Sequence, residues 1–411
     1  MIMSNQTIPV GWTDSPLGNL VDLIIDHRGK TPKKLGGDWS QKGYRAISAK
    51  TIKDGRLINE EQMNVLPDNL YKKWMKVEVQ QGDIFLTSEA PLGEHIIWTS
   101  DEKIVLSQRI YGIRTNKKIL DPYYFNYFID SEFYQHELKS RESGTTVTGI
   151  RQTELLKTRV LVPPLPEQRA IAAVLSSLDD KIELLREQNK TLEATAQAIF
   201  KEWFGKYSPD RPEELPEGWR VGVLGQEMET FLGGTPAKNN KEFWENGSIA
   251  WINSGAVNDF RITKATYNIT ERAMEKSATK LLPKGTVVLA ITGATLGQYS
   301  RLEIDSCFNQ SVVGIKENKI FHSSFIYFWI AENIGNIIRN ATGGAQQHIN
   351  KEDINSTKFV IPVDQMLDSF YKVGDPIMDK ISKNCFQIHA VSTLRDTLLP
   401  KLMRGEVRVK F

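Results

Sequence analysis

Two long stretches of the chain place apolar or small residues at alternating steps of four and three. The first runs Ile171, Leu175, Leu178, Ile182, Leu185, Asn189, Leu192, Ala196, Ile199 and Trp203; the second runs Ile377, Ile381, Asn384, Ile388, Val391, Arg395, Leu398 and Leu402. That spacing is the seam of a coiled coil. The two runs share one register, because adding 199 to the first lands on the second (182 + 199 = 381; 199 + 199 = 398). Each predicts a helix of roughly 30 to 35 residues, or about 45–55 Å at ~1.5 Å per residue. Neither helix buries its stripe alone. Packing on each other satisfies both, antiparallel if the two halves of the chain are related by a pseudo-twofold axis; docking of each helix on its own domain is the other solution. Asn189 and Arg395 fall in the seam, where a polar side chain fixes register or partner.

Elsewhere the pattern is short and strand-like, broken by Gly and Pro. Gly82 to Thr87 and Gly285 to Ala290 read as buried strands entered by a turn, as do Ile110 to Ile113 and Val312 to Ile315. Asp121-Pro122 opens an aromatic helical stretch, Tyr123 to Phe133, matched by Ser323 to Ile338. Strands and helices mix without regular alternation, which predicts an α+β fold. The correspondence is general: Gly11-Trp12 recurs as Gly218-Trp219, Gln108 as Gln310, Gly112 as Gly314 and Pro163 as Pro362. A period near 200 residues is too long for a solenoid and predicts two homologous domains in tandem. The proline-rich stretch Gly205 to Pro216 reads as the linker between the halves.

Composition bounds the class. The 411 residues are 40% hydrophobic and 25% charged, which suits two or three globular domains. No run of 18 apolar residues and no basic-then-apolar leader is present, so a membrane is not expected and the cytoplasm is the expected location. Cys307 and Cys385 are too few and too far apart for a disulfide framework or a zinc motif. Net charge is only +2, but its distribution is uneven: His27 to Lys53 holds eight bases against Asp38 alone, whereas Lys238 to Lys264 holds four bases against three acids. A basic stretch of the first kind fits a phosphate backbone.

Catalytic motifs are missing or incomplete. Gly29-Lys30-Thr31 lacks the earlier glycine of a phosphate-binding loop, since Ile24 stands there. Asp121-Pro122-Tyr123-Tyr124 is similar to the catalytic tetrapeptide of amino-methyltransferases, but the second half has no counterpart and no glycine-rich cofactor turn precedes it, so it reads as a helix cap. Glu137-Leu138-Lys139 is a nuclease-like triplet frequent by chance, and His27 and the other histidines are scattered. No catalytic residue and no metal ligand is expected. What recurs instead is polar loop chemistry of the kind that reads base edges and approaches phosphates. The candidate DNA-binding residues of the first half are Lys30, Thr31, Lys33, Lys50, Thr51, Lys53, Ser107, Gln108, Arg109, Thr145, Thr146, Thr148 and Arg151. Those of the second half are Thr235, Asn253, Ser254, Thr292, Thr295, Asn309, Gln310, Gln346, Gln347 and His348. Lys30, Lys50 and Lys53 are expected on phosphates, and Gln346 and Gln347 on base edges.

Three segments carry a family resemblance. They are Pro163-Pro164-Leu165-Pro166-Glu167-Gln168 with the helix through Phe204, the tail Leu398 to Glu406, and Gly233-Gly234-Thr235-Pro236 with Trp251-Ile252 and Asn309-Gln310. Over almost its whole length the chain resembles the specificity subunits of type I restriction-modification enzymes. It departs from them at Gly29-Lys30-Thr31-Pro32, where Gly-Gly-Thr-Pro is typical, and at Pro362-Val363-Asp364-Gln365, a weaker start to the second helix. The resemblance implies two homologous globular target-recognition domains separated by two long antiparallel coiled-coil helices with pseudo-twofold symmetry. It implies a first recognition domain at 1–163, a conserved spacer helix at 164–205, a linker at 206–217, a second recognition domain at 218–365, and a second spacer helix with tail at 366–411. It also implies a bipartite double-stranded DNA target, two methyltransferase subunits docked on the helices, and restriction subunits joining through them. No cofactor is expected on this chain; S-adenosylmethionine, ATP and Mg would sit on the partner subunits. Two other roles stay open: the recognition subunit of a related or modification-only methyltransferase system, and an enzyme whose site the motifs do not reveal.

Overall fold

The structure is a computed structural model, and it describes residues 8–144, 148–339, 341 and 347–410. The chain divides into two compact units. One comprises Met1–Asp180 with Val391–Phe411, and the other comprises Lys181–Ala390. Each contains a globular α+β domain and a segment of each of two long helices.

Those helices span Leu165–Phe204 and Asp364–Met403, 40 residues each, or about 60 Å. They exceed the expected 30 to 35 residues because the seam is not all that holds them. The additional turns at their ends are fixed by the domain cores. In the first unit Ile171, Ala172 and Leu175 enter the core, as do Leu402 and Met403 from the second helix. In the second unit Phe200 and Phe204 join Leu367, Phe370 and Tyr371 in the core. Docking on a domain and packing on the other helix therefore coexist. Within the second unit the helices run antiparallel: Asn189 meets Asn384 at 2.9 Å, while the Phe200 and Phe370 rings meet at 5.5 Å. Within the first unit Arg395 meets Asp179 at 2.7 Å.

The motif at the start of the first helix has a structural reason. Gln168 is fully buried; its amide donates to the Ile119 and Pro163 carbonyls at 2.9 and 2.8 Å and accepts from the Asp121 N–H at 2.8 Å. It thereby knits the helix to the cap of the helix Pro122–Ile129. Asp121 accepts from the Tyr123 and Tyr124 N–H groups, and Tyr124 is buried with its hydroxyl on the Leu161 carbonyl, so this tetrapeptide is a cap. At the same place in the second unit (168 + 199 = 367) the buried residue is Leu367, which docks by apolar contact instead.

Both domains repeat one topology. In the first, an antiparallel sheet runs in the order Val21–Asp26, Ile110–Thr115, Ile84–Thr87, His95–Ile97. In the second, the order is Thr230–Leu232, Val312–Ile315, Val287–Ala290, Tyr299–Arg301. Each domain adds a smaller sheet with one parallel pair: Ala46 and Ile47 beside Val105 and Leu106, and Trp251 and Ile252 beside Cys307 and Phe308. Strand alternation explains the layers. Ile84 and Leu86 face the core shared with the helices, while Phe85 faces a second core with Ile47 and Trp98. Val287 and Leu289 likewise face one core, and Val288 and Ala290 the other. Gly112 and Gly314 sit centrally because side chains fill their space: a Cβ would lie 2.7 Å from Leu106 in the first case and 2.7 Å from Phe308 in the second.

Candidate nucleic-acid interface

In each unit several polar loops converge beyond one end of the main sheet, and the same backbone bonds hold them. In the first unit the Ser88 N–H donates to the Arg109 carbonyl at 2.8 Å, Ile150 N–H to the Ser88 carbonyl at 2.9 Å, and Ser107 N–H to the Ile47 carbonyl at 2.9 Å. In the second, Ile291 donates to Ser311 at 2.9 Å, Ile349 to Ile291 at 3.0 Å, and Asn309 to Ile252 at 3.1 Å. These bonds join four of the matched loops in each unit; the Gly29 loop meets them where Gln108 donates to the Lys30 carbonyl at 3.2 Å, and the Gly233 loop where the Gly234 N–H donates to the Phe308 carbonyl at 2.8 Å.

In the first unit the candidate side chains divide into exposed and internally bonded sets. Lys33, Lys50, Lys53, Thr148 and Arg151 are exposed. Lys30, expected on a phosphate, is half-buried and donates its Nζ to the Trp74 carbonyl at 2.7 Å. Burial, with Lys76 nearby, lowers its pKa. Thr51 is buried and its hydroxyl closes a tight turn on the Ser48 carbonyl at 2.9 Å, so it shapes the loop and cannot itself face a base. Thr31 accepts from the Lys34 N–H, and the exposed Gln108 donates to the Lys30 carbonyl at 3.2 Å. Half-buried Ser107 anchors its turn through its backbone, and exposed Arg109, at φ +69°, pairs with Glu89 at 2.9 Å. Thr145 and Thr146 lie outside the described residues. Arg28, which the sequence alone did not single out, stacks 4.5 Å over the Tyr111 ring, pairs with Asp26, and donates to the Ile150 carbonyl at 3.4 Å. Beside it His27 is buried, and burial followed by the charge of Lys30 lowers its pKa to about 4.

In the second unit Thr235 donates to Gln310 at 2.5 Å, joining the Gly233 loop to the Asn309 turn. Asn253 caps the turn Ser254–Asn258 by accepting from the Ala256 N–H at 3.2 Å; Ser254 beside it is half-buried. Asn309 accepts from the Ser311 N–H, and Thr295 donates to the Thr292 carbonyl. Thr292 bridges His348, and the Gln347 carbonyl accepts from the Gly293 N–H at 3.0 Å, leaving the Gln347 and His348 side chains exposed. Gln346 lies outside the described residues. Next to these loops stands an aromatic group hidden in the sequence by its wide spacing: Trp244, Trp251 and Tyr267, with ring centroids 5.3 to 6.2 Å apart and Tyr267 59% exposed.

Of the predicted seam residues, Leu175, Ile182, Leu185, Asn189, Ile381 and Leu402 are buried; Leu178, Leu192, Ile199, Ile388, Val391 and Leu398 are half-buried. Among the described residues no cluster of metal-ligating side chains occurs and no helix is long and apolar enough to cross a membrane.

A family model described as type I restriction modification DNA specificity domain matches residues 9–194 and, a second time, residues 216–380. The chain belongs to this family. Among specificity subunits, that of the type I restriction enzyme MjaIX from Methanocaldococcus jannaschii is 26% identical over 397 residues, covering 92% of this chain and 86% of that protein. The HindI specificity subunit of Haemophilus influenzae is 24% identical, covering 81% and 88%. The fold resembles the crystal structure of a type I S subunit from M. genitalium, with a TM-score of 0.63, 17% identity and 97% of both chains covered. A type I specificity domain thus occurs twice here, and each copy carries one of the loop clusters.

Proposed function

We propose that this chain is the DNA sequence-recognition subunit of a type I restriction-modification complex. Each unit's loop cluster reads one half of a bipartite double-stranded target. The two long helices dock two methyltransferase subunits, and restriction subunits join through them. The observation that carries this role is the duplicated loop cluster, bonded alike in both units of a chain that matches the specificity-domain family twice. Exposed Lys33, Lys50 and Lys53 suit phosphates, which position a protein without reading sequence. Exposed Gln347 and His348 suit base edges in the major groove. The chain itself performs no catalysis and takes no cofactor; S-adenosylmethionine, ATP and Mg belong to its partners.

Methylome sequencing of cells carrying the complete system tests this role. A sequence of two half-sites around a nonspecific spacer is the expected target. Exchanging residues 11–160 for another family member's first domain changes one half-site and keeps the spacer. Four residues inserted after Thr191 add about 6 Å of helix and roughly 40° of rotation, lengthening the spacer by about one or two base pairs with both half-sites kept. Methyl transfer by the purified chain alone, or an insertion that alters bases within a half-site at constant spacer, refutes the role.

A further inference from the structure

The second unit contains a buried ionic group that base or phosphate contact does not explain. Arg261 has no exposed side-chain surface and lies three residues beyond the turn Ser254–Asn258. One terminal nitrogen donates to the Phe260 carbonyl at 2.6 Å, the Tyr327 hydroxyl at 2.9 Å and Glu193 Oε1 at 3.3 Å; the other donates to the same Glu193 oxygen at 3.3 Å and to Met378 Sδ at 3.6 Å. The Tyr327 hydroxyl donates to that Glu193 oxygen at 2.5 Å. The guanidinium lies 4.4 Å from the Phe260 ring centre and 4.3 Å from that of Tyr327. Its Nε is 3.9 Å from Glu303, which is fully buried and also held by Arg301 at 3.3 Å. One cation thus joins the end of a recognition segment to the first long helix through Glu193, to the second through Met378, and to the domain helix Ser323–Ile337 through Tyr327.

Cohesion alone does not call for such a group. Apolar residues of similar volume commonly hold a core as well as a buried ion pair does, and the core formed by Phe200, Phe325 and Phe370 already docks this domain on the helices. A guanidinium adds direction: its planar fork accepts partners at fixed angles, whereas apolar contacts tolerate sliding. The first unit has a looser counterpart. Tyr127 donates to Asp179 at 2.6 Å and Arg395 completes the group, but the Arg395 and Asp179 side chains are 32% and 35% exposed.

We infer that Arg261 is a positioning residue: through Glu193 and Tyr327 it locks the segment Asn253–Asp259 in one orientation on the helices, and so sets the phase in which the second unit reads its half-site. This rests on the DNA-recognition role proposed above. The test uses the full chain assembled with its methyltransferase partner. Methylation is measured on the cognate DNA and on DNAs with the second half-site moved by one base pair either way. The variant Arg261→Met with Glu193→Gln removes both charges of the pair, the buried guanidinium and the half-buried carboxylate, so neither is left unmatched. It is expected to fold and to keep the bases of both half-sites, while losing about tenfold of the preference for the cognate spacing. An unchanged spacing preference in the folded double variant overturns the inference. If that variant does not fold, Tyr327→Phe removes only the bridging hydroxyl; about a threefold loss of spacing preference supports the inference, and none overturns it. A wild-type complex that prefers no sequence at all refutes the recognition role instead.

Discussion

The carboxyl-terminal tail closes on the first unit through one buried carboxylate, and breaking that contact has a calculable consequence. Glu167, at the start of the first long helix, has a side chain 1% exposed. It accepts from both Arg408 Nε and Nη2, the latter at 2.8 Å, and from the Trp12 indole N–H at 3.2 Å. Arg408→Ala leaves that carboxylate with the indole alone. Removing one partner of a fully buried pair costs about 3–5 kcal/mol. Here the Arg408 side chain is 45% exposed, so water replaces part of what is lost and about 2 kcal/mol is the better figure. Glu167→Gln by itself removes charge but keeps a hydrogen-bonding oxygen, at about 1 kcal/mol. In the double variant the unpaired charge no longer exists, so its cost falls below the sum of the two by at least about 1 kcal/mol. Multi-domain chains commonly unfold in more than one transition, so hydrogen exchange, which reads individual amides, is the proper assay. The amides of Trp12, Glu167 and Gln168, bonded to the Pro9 and Pro164 carbonyls, are expected to exchange about 30-fold faster in Arg408→Ala. Unchanged exchange at these amides, or costs that add within about 0.5 kcal/mol, refutes the reasoning.

Asn189 and Asn384 are both buried between the long helices, where Asn384 Oδ1 has no hydrogen-bond partner among the described residues, so replacing both with Leu is expected to raise the urea midpoint of the second unit, while Asn189→Leu alone lowers stability by about 1–2 kcal/mol. His27 has its pKa lowered from 6.5 to about 4 in the folded chain, chiefly because it is buried; its folded form stays neutral, so stability is intact above pH 6.5 and falls as pH drops, by about 2 kcal/mol at pH 5. Urea unfolding of the first unit at pH 7 and pH 5 should show this loss, and His27→Gln should reduce it; the same pH response in both proteins contradicts the assignment. Gln347→Ala is expected to relax specificity at the second half-site only, by roughly 1–3 kcal/mol, whereas Lys50→Ala with Lys53→Ala should weaken binding to every sequence and flatten its salt dependence, both read by DNA binding of the assembled complex at several salt concentrations.

The two-fold repeat, the helical seams, the α+β class and the recurrence of polar loops were legible in the sequence, because each depends on local chemistry: side-chain period, turn residues and matched spacing along one chain. The helix lengths were legible only in part. Seam residues mark where helix meets helix, but Phe200, Phe204, Leu367 and Phe370 extend both helices by entering domain cores, and their spacing obeys the domains they fill. The fate of individual polar side chains depended wholly on tertiary structure. Lys30 and Lys50 look alike in a basic stretch, yet Lys30 is bonded to the Trp74 carbonyl and Lys50 faces solvent. Arg56 and Arg261 occupy matching positions of the repeat (56 + 205 = 261), yet Arg56 is exposed and Arg261 is fully buried beside Glu193. Whether a charged side chain stays at the surface or is covered depends on which distant segment folds over it, and that information is distributed over the whole unit.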